Sequence, residues 1–268
     1  MEVCVDNVLS FINAVEAGAS RIELCSSLAE GGLTPSLGFF RQVQKINIHE
    51  VPIHILLRPR GGDFYYRTEE IEIMKEDASI FAENGANGLV LGMYTNTMQI
   101  YGKFNLPSFL GCLDKEAQVD VESTKRILQG LPANMSLTFH RAFDVSQDPW
   151  KAAECIQSLG FHRILSSGQE KSAALGIPLL QKLQSKYTDL IFMPGGGINE
   201  GNLKDILEGT SVKEFHASAR SMQNSLMTHQ NAKCKMGSDS TEYSIQVTDQ
   251  TKVRKLIQIY TEYISNST

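Results

Sequence analysis

Short runs that read as β-strands alternate with amphipathic helical segments eight times along the 268 residues. This alternation limits the fold more than any other feature of the chain. Strands are expected at Glu2–Val5, Arg21–Cys25, Ile53–Leu57, Gly88–Gly92, Leu137–His140, Arg163–Ser166, Leu190–Met193 and Glu214–Ala217. The first helix follows from Val8–Val15, apolar at helical spacing and closed by Gly18; others are expected at Ser36–Ile46, Glu69–Glu83, Asp120–Leu128, Pro149–Leu159, Ser172–Lys186, Glu200–Leu207 and Thr251–Ile264. A strand, a helix and a second strand in close succession force parallel pairing. Eight such units predict an α/β fold: a single (β/α)8 TIM-barrel domain over residues 1–268. An open doubly wound sheet is the competitor, but no GxGxxG follows the first strand and no shift in composition marks a boundary. Two stretches depart from the rhythm. Residues 93–118 read as a loop insertion after strand four, and residues 221–243 as a polar segment before the last helix.

Barrel strands are covered by helices outside and packed inside, so both faces usually read apolar. Several strands here do not. Glu2 and Cys4 share one parity, as do Arg21, Glu23 and Cys25; His54 and Arg58; Thr138 and His140; and Glu214, His216 and Ser218. The other parity is apolar, at Val3, Ile22, Ile55, Phe139 and Phe215. The polar set therefore belongs inside the barrel, where buried charges must be paired. Two explanations stay open: an internal salt-bridge network, or a functional pocket.

Loops after the strands converge on one mouth of a barrel. Arg58-Pro59-Arg60-Gly61-Gly62-Asp63 offers two guanidinium groups suited to an anion, Arg58 and Arg60. His140-Arg141-Ala142-Phe143-Asp144 joins an acid/base candidate, a cation and a carboxylate. Gly195, Gly196 and Gly197 follow strand seven, and Ser218 and Arg220 follow strand eight, the position of the phosphate site in many barrels. A tight turn is the plainer reading of the glycines.

The net charge of −5 argues against a nucleic-acid surface, and no apolar run reaches the length of a membrane span. The chain starts directly in a strand, so a cytoplasmic protein is expected. Its five cysteines are odd in number and show no CxxC, which excludes a disulfide framework and points to reduced thiols. Cys112, Cys155 and Cys234 read as packing or surface residues. Cys4 and Cys25 differ, because each shares parity with a carboxylate on neighbouring strands. A thiol pair of this kind suits a soft ion such as Cu(I); His140 and His216 could add nitrogen ligands, although a lone inward histidine is more often a hydrogen-bonded core residue.

Seven stretches, in order over nearly the whole chain, resemble the CutC copper-homeostasis family: Met1–Asp6, Arg21–Ser26, Glu30–Ser36, Arg58–Phe64, Thr138–Asp144, Met193–Ile198 and Glu214–Arg220. The sequence departs from the family pattern around Gln99–Gln118. The resemblance implies a cytosolic, commonly oligomeric barrel linked to copper handling, with copper bound at the cysteines matching Cys4 and Cys25.

Three functions follow as expectations. The first is copper homeostasis, with Cu(I) held by Cys4 and Cys25 and with Glu2, Arg141 and His216 as further pocket residues. The second is an enzyme, a hydrolase or isomerase of a small phosphorylated or anionic molecule, in which Glu23, His140 or Asp144 moves protons. There Arg58, Arg60, Gly195, Gly196, Gly197, Ser218 and Arg220 hold the anion. The third is an assembly scaffold. A homo-oligomer without nucleic-acid or membrane partners is expected in each case.

Overall fold

The computed structural model describes residues 1–94, 117–231, 233 and 242–267. Most of the expected insertion at 93–118, with Cys112, lies outside the described residues, and so does Cys234.

Eight strands form one parallel sheet: β1 (Glu2–Val5), β2 (Arg21–Leu24), β3 (Ile53–Leu56), β4 (Gly88–Leu91), β5 (Ser136–Phe139), β6 (Arg163–Ser166), β7 (Ile191–Pro194) and β8 (His216–Ala217). Each pairs with its sequence neighbour from β1 to β7, and β8 pairs with β1. Among the described residues no ladder joins β7 to β8, so the barrel is nearly closed. Helices α1 (Val8–Glu16), α2 (Leu37–Ile46), α3 (Thr68–Glu83), α4 (Val121–Leu128), α5 (Pro149–Ser158), α6 (Ile177–Lys186), α7 (Leu203–Thr210) and α8 (Gln250–Ser267) alternate with them. None is long and apolar enough to cross a membrane.

Local chemistry explains the helix starts. The side chains of Asn7, Ser36, Asp120 and Asp148 each accept a first-turn amide, and Pro149 fills the first position of α5. Helix α6 begins five residues later than the spacing predicts. Ser172–Gly176 stays outside it because Gly176 packs against the backbone of Ser167 and Gly168, where a β-carbon would collide. Helix α7 is likewise shifted, to 203–210.

The apolar parity lies under the helices as expected. Val3, Ile22, Leu24, Ile55, Leu89, Phe139 and Phe192 pack with Phe11, Phe40, Phe81 and Phe143 in one buried cluster. The polar segment contains structure that its composition hid. β9 (Arg220–Asn224) pairs antiparallel with β10 (Ser244–Thr248), a run whose alternating Ile245 and Val247 carry the period of a strand. β10 lies on α1, where Asn13 Nδ2 donates to Thr248 O at 2.8 Å and Thr248 N to Ser10 Oγ at 3.0 Å.

Inside the barrel, the deepest polar layer is an ion network. Glu2 is 1% exposed and receives Arg21 Nε at 2.5 Å and His216 Nδ1 at 2.7 Å. Arg21 Nη2 and Arg163 Nε meet on Glu214 Oε2, at 2.6 and 2.7 Å. Arg163 Nη1 also donates to Ser136 Oγ at 2.8 Å. Each charge has a partner of opposite sign, as burial requires. Arg21→Met would leave Glu2 without its nearest cation, and unfolding free energy in urea is expected to fall by about 3–5 kcal/mol. A fall below about 1 kcal/mol would show that the network does not hold this end of the barrel.

Candidate functional site

A cavity of about 470 Å³ opens above this network at the carboxyl ends of the strands. It has the size of a small-molecule site, far larger than an ion requires. Strand register explains which side chains reach it. Cys4 stands opposite Glu23 in the β1–β2 ladder, and Glu23 stands opposite His54 in β2–β3. Cys25 lies two residues beyond Glu23, past the end of β2, where its amide still donates to Val5 O at 3.0 Å.

Cys4 lines the cavity and Cys25 lies behind it, fully buried. The two share a small cluster with Leu56, Val90 and Leu28. Both are unbridged thiols. Cys25 Sγ donates to Val5 O at 3.4 Å, and burial, reinforced by Cys4 and Glu23, pushes its pKa well above the usual thiol range.

His216 connects the ion network to the cavity. Burial alone would depress its pKa, but Cys4, Glu23 and the hydrogen bond to Glu2 together raise it well above that of a free imidazole. Because Nδ1 is committed to Glu2, Nε2 is the ring nitrogen available to the neighbouring Cys4 thiol. Burial also pushes the Glu2 carboxyl upward, yet Arg21 and His216 hold it well below the usual carboxylate range.

Glu23 behaves oppositely. Burial dominates there and lifts it to about 7, against the pull of His216. Its Oε2 is buried without a hydrogen-bond partner among the described residues. Donor atoms of Glu2, Glu23 and His216 lie within 4.8 Å of one another, close enough to share a metal ion. The oxygens of Glu2 are already engaged by Arg21 and His216, which leaves Glu23 and His216 as the available members.

His140 sits across the cavity in a neutral state, held to a pKa of about 3 by burial and then by the nearby Arg58 charge. Its Nδ1 accepts the Ala142 amide at 3.0 Å, so the ring proton resides on Nε2. That Nε2 is buried and has no partner among the described residues. Phe64 fixes the ring from one side, 5.0 Å between centroids, and carries the Arg58 guanidinium 5.0 Å from its own centroid.

The remaining expected residues divide. Arg58 lines the cavity, but its Nη atoms donate to the carbonyls of Glu30, Gly32 and Gly62, stapling the loops after β2 and β3 together. Arg60 is outside the cavity lining, because Asp63, Glu70 and the Tyr65 carbonyl take its donors. Asp144 lines the cavity as a filled acceptor. It binds Ser166 Oγ at 2.6 Å, Ser167 Oγ at 2.9 Å and the Ser167 amide, and it pairs with Arg141 at 2.7 Å. That pattern organises the loop after β6 and leaves little capacity to move a proton. Gly196, Gly197, Ser218 and Arg220 also line the cavity. Gly195 does not; there a β-carbon would run into Leu165 and lie 3.4 Å from the β-carbon of His216, so glycine permits the approach of β7 and β8.

Sequence reasoning passed over Arg163, Phe64 and the Ser166–Ser167 pair. Arg163 carried a usable signal, a charge opening an otherwise apolar strand. The serines carried none, since their partner Asp144 is distant in the chain.

The CutC family model matches residues 1–105 and 101–221. The chain is 46% identical over 259 residues to the human copper homeostasis protein cutC homolog, covering 96% of this chain and 87% of that protein. The mouse protein of the same name is 45% identical, with the same coverage. A crystal structure of CutC from Streptococcus agalactiae superposes with a TM-score of 0.68 at 32% identity, covering 81% of this chain and 97% of that one. Phosphoribosyl anthranilate isomerase from Thermotoga maritima superposes at 0.52 with 10% identity over 97% and 98% of the chains, a likeness of barrel fold alone. With a family model matched across most of the chain and relatives 45–46% identical over 96% of it, the chain belongs to the CutC family.

Proposed function

We propose that this protein acts in copper homeostasis in the cytosol, as a homo-oligomer, by binding Cu(I) through Cys4 and Cys25. The observation that carries this reading is the shared cluster of the two thiols beside His216. Thiolates are the donors Cu(I) prefers, and a soft ion accepts two or three ligands without further oxygen donors. The fit is favourable on three counts. Cys4 opens to the cavity, so an ion has an entry path. Cys25 sits behind it in an apolar wall that excludes water. His216, oriented by the hydrogen bond from its Nδ1 to Glu2, can offer Nε2 as a third donor. Binding requires the thiol protons to leave, the Cys25 bond to Val5 O to break and, for His216 to serve as a donor, its Nε2 proton to leave as well.

Reduced protein is expected to bind one Cu(I) in competition with a chromophoric chelator. A Cys4→Ser, Cys25→Ser double variant should lose at least about tenfold in affinity. Equal binding by that variant would remove the reading.

A second reading, catalysis on a small anionic substrate, is favoured by one specific observation. Glu23 Oε2 and His140 Nε2 are both buried, both without partners among the described residues, and their side chains line the same cavity. A carboxylate near neutrality can take a proton from carbon, while a neutral imidazole N–H can stabilise the oxygen where charge develops. Screening small anionic carbonyl compounds for deuterium uptake from solvent tests it; uptake should disappear in Glu23→Gln, and its survival there would exclude Glu23 as the base.

The state of Glu23 has its own consequence in metal-free protein. The unfolded chain loses this proton near 4.5, the folded protein near 7, so the folded state loses stability as pH rises through that interval. Glu23→Gln should therefore match the parent below pH 5 and exceed its stability by roughly 2–3 kcal/mol at pH 8. Urea unfolding at the two pH values measures the difference.

A further inference from the structure

Copper accounts for the thiols, yet the cavity's rim after β7 and β8 has a chemistry of its own. The amides of Gly196 and Gly197 donate to no acceptor among the described residues. Both glycines have positive φ, +101° and +74°, and the Arg141 guanidinium carbon lies 3.2 Å from where a β-carbon of Gly196 would stand. Arg141 spends Nε on Asp144 and Nη2 on Ser167, which leaves Nη1 beside that turn with no acceptor among the described residues. Across the gap between β7 and β8, Ser218 and Arg220 line the same cavity. The Ser218 hydroxyl and the Arg220 guanidinium make no hydrogen bond or ion pair to a described residue. Between them Ala219 is left-handed, at φ 46°, a conformation that costs a non-glycine residue about 1 kcal/mol. That turn lets both neighbours face one space. A further donor, His140 Nε2, is buried in the same wall and has no partner among the described residues.

We propose that this rim binds the phosphate group of a small organic molecule, held by the Gly196 and Gly197 amides, the Ser218 hydroxyl and the guanidinium groups of Arg141 and Arg220. The donors are of the kinds that phosphate oxygens accept from protein: backbone N–H, hydroxyl and planar guanidinium. Two facts oppose a cation in this place. The Asp144 carboxylate facing the rim is already filled by serines and Arg141, and the rim charge left without an ion-pair partner among the described residues is the Arg220 guanidinium. The remaining volume would hold the carbon skeleton, within reach of His140 and Glu23. The assignment goes beyond copper binding and names the substrate class for the second reading above, but it stands as a binding site without any turnover.

Calorimetric titration of metal-free, chelator-treated protein with inorganic phosphate tests it, at ionic strength held constant with potassium chloride. Saturable binding is expected, weakened about tenfold or more in Arg220→Ala, because a charge-assisted donor is lost. Ser218→Ala, which removes only a hydroxyl, should weaken binding by a smaller factor and serves if Arg220→Ala folds poorly by circular dichroism. Lys125→Ala makes the same charge change on the exposed face of α4 and should leave binding unaltered. Absence of saturable phosphate binding would overturn the proposal. So would equal weakening by Lys125→Ala, or full affinity in the folded Arg220 and Ser218 variants.

Discussion

The rest of the interior depends on the pairing of Glu2 with Arg21 and His216. A carboxylate with 1% exposure in a low-dielectric barrel is tolerable only as part of a compensated set. Arg21 supplies the positive charge at 2.5 Å, and His216 supplies the second donor at 2.7 Å. Arg21 then reaches Glu214, which Arg163 also holds, so one ion network spans β1, β2, β6 and the chain entering β8. Its position matters because the β7–β8 edge lacks a backbone ladder. Side-chain charge joins elements there that backbone hydrogen bonds do not.

The same pairing sets the chemistry above it. Committing His216 Nδ1 to Glu2 directs the other nitrogen toward Cys4 and places positive charge under the cavity floor. Glu23 shares that floor but has no cation of its own, since Arg21 is committed to Glu2 and Glu214; burial therefore wins and its proton is held to about 7. Two carboxylates one ladder step apart thus end at opposite extremes, separated only by who owns the arginine. On the far wall, His140 is kept neutral by burial and by Arg58, whose charge is fixed in place by three loop carbonyls.

Much of this was legible in the residues. The strand–helix rhythm carries the barrel, and polar residues on one parity of β1, β2, β3, β5 and β8 carry the prediction of a polar interior. What parity could not do was divide that interior into layers. Glu2 and Glu23 read identically in the sequence, yet one belongs to an ion network and the other faces a cavity, because register places them at different heights. Arg58 and Arg60 also read alike, with only Pro59 between them. The fold of their loop turns one toward carbonyls at the cavity wall and the other toward Asp63 and Glu70. Asp144 looked like a proton carrier beside His140, and only the distant Ser166 and Ser167 reveal it as a filled acceptor. The β9–β10 hairpin was obscured because its partners are separated by a long polar stretch, and pairing at that distance leaves no local signature.

The thiols and the rim are not electrostatically independent. Arg220 is among the charges acting on Cys25, where it opposes the upward push of burial. An ion bound to two thiolates as Cu(I) leaves a net negative centre, which the cavity's arginines stabilise. A phosphate at the rim would draw on the same guanidinium group and bring its own negative charge into the same low-dielectric space. Occupation of one proposed site would therefore weaken the other, a coupling that by linkage must be equal in both directions. With both proposed sites present, a barrel arranged in this way would tie the affinity of its thiol pair to the level of a small phosphorylated molecule through Arg220, which has no ion-pair partner among the described residues.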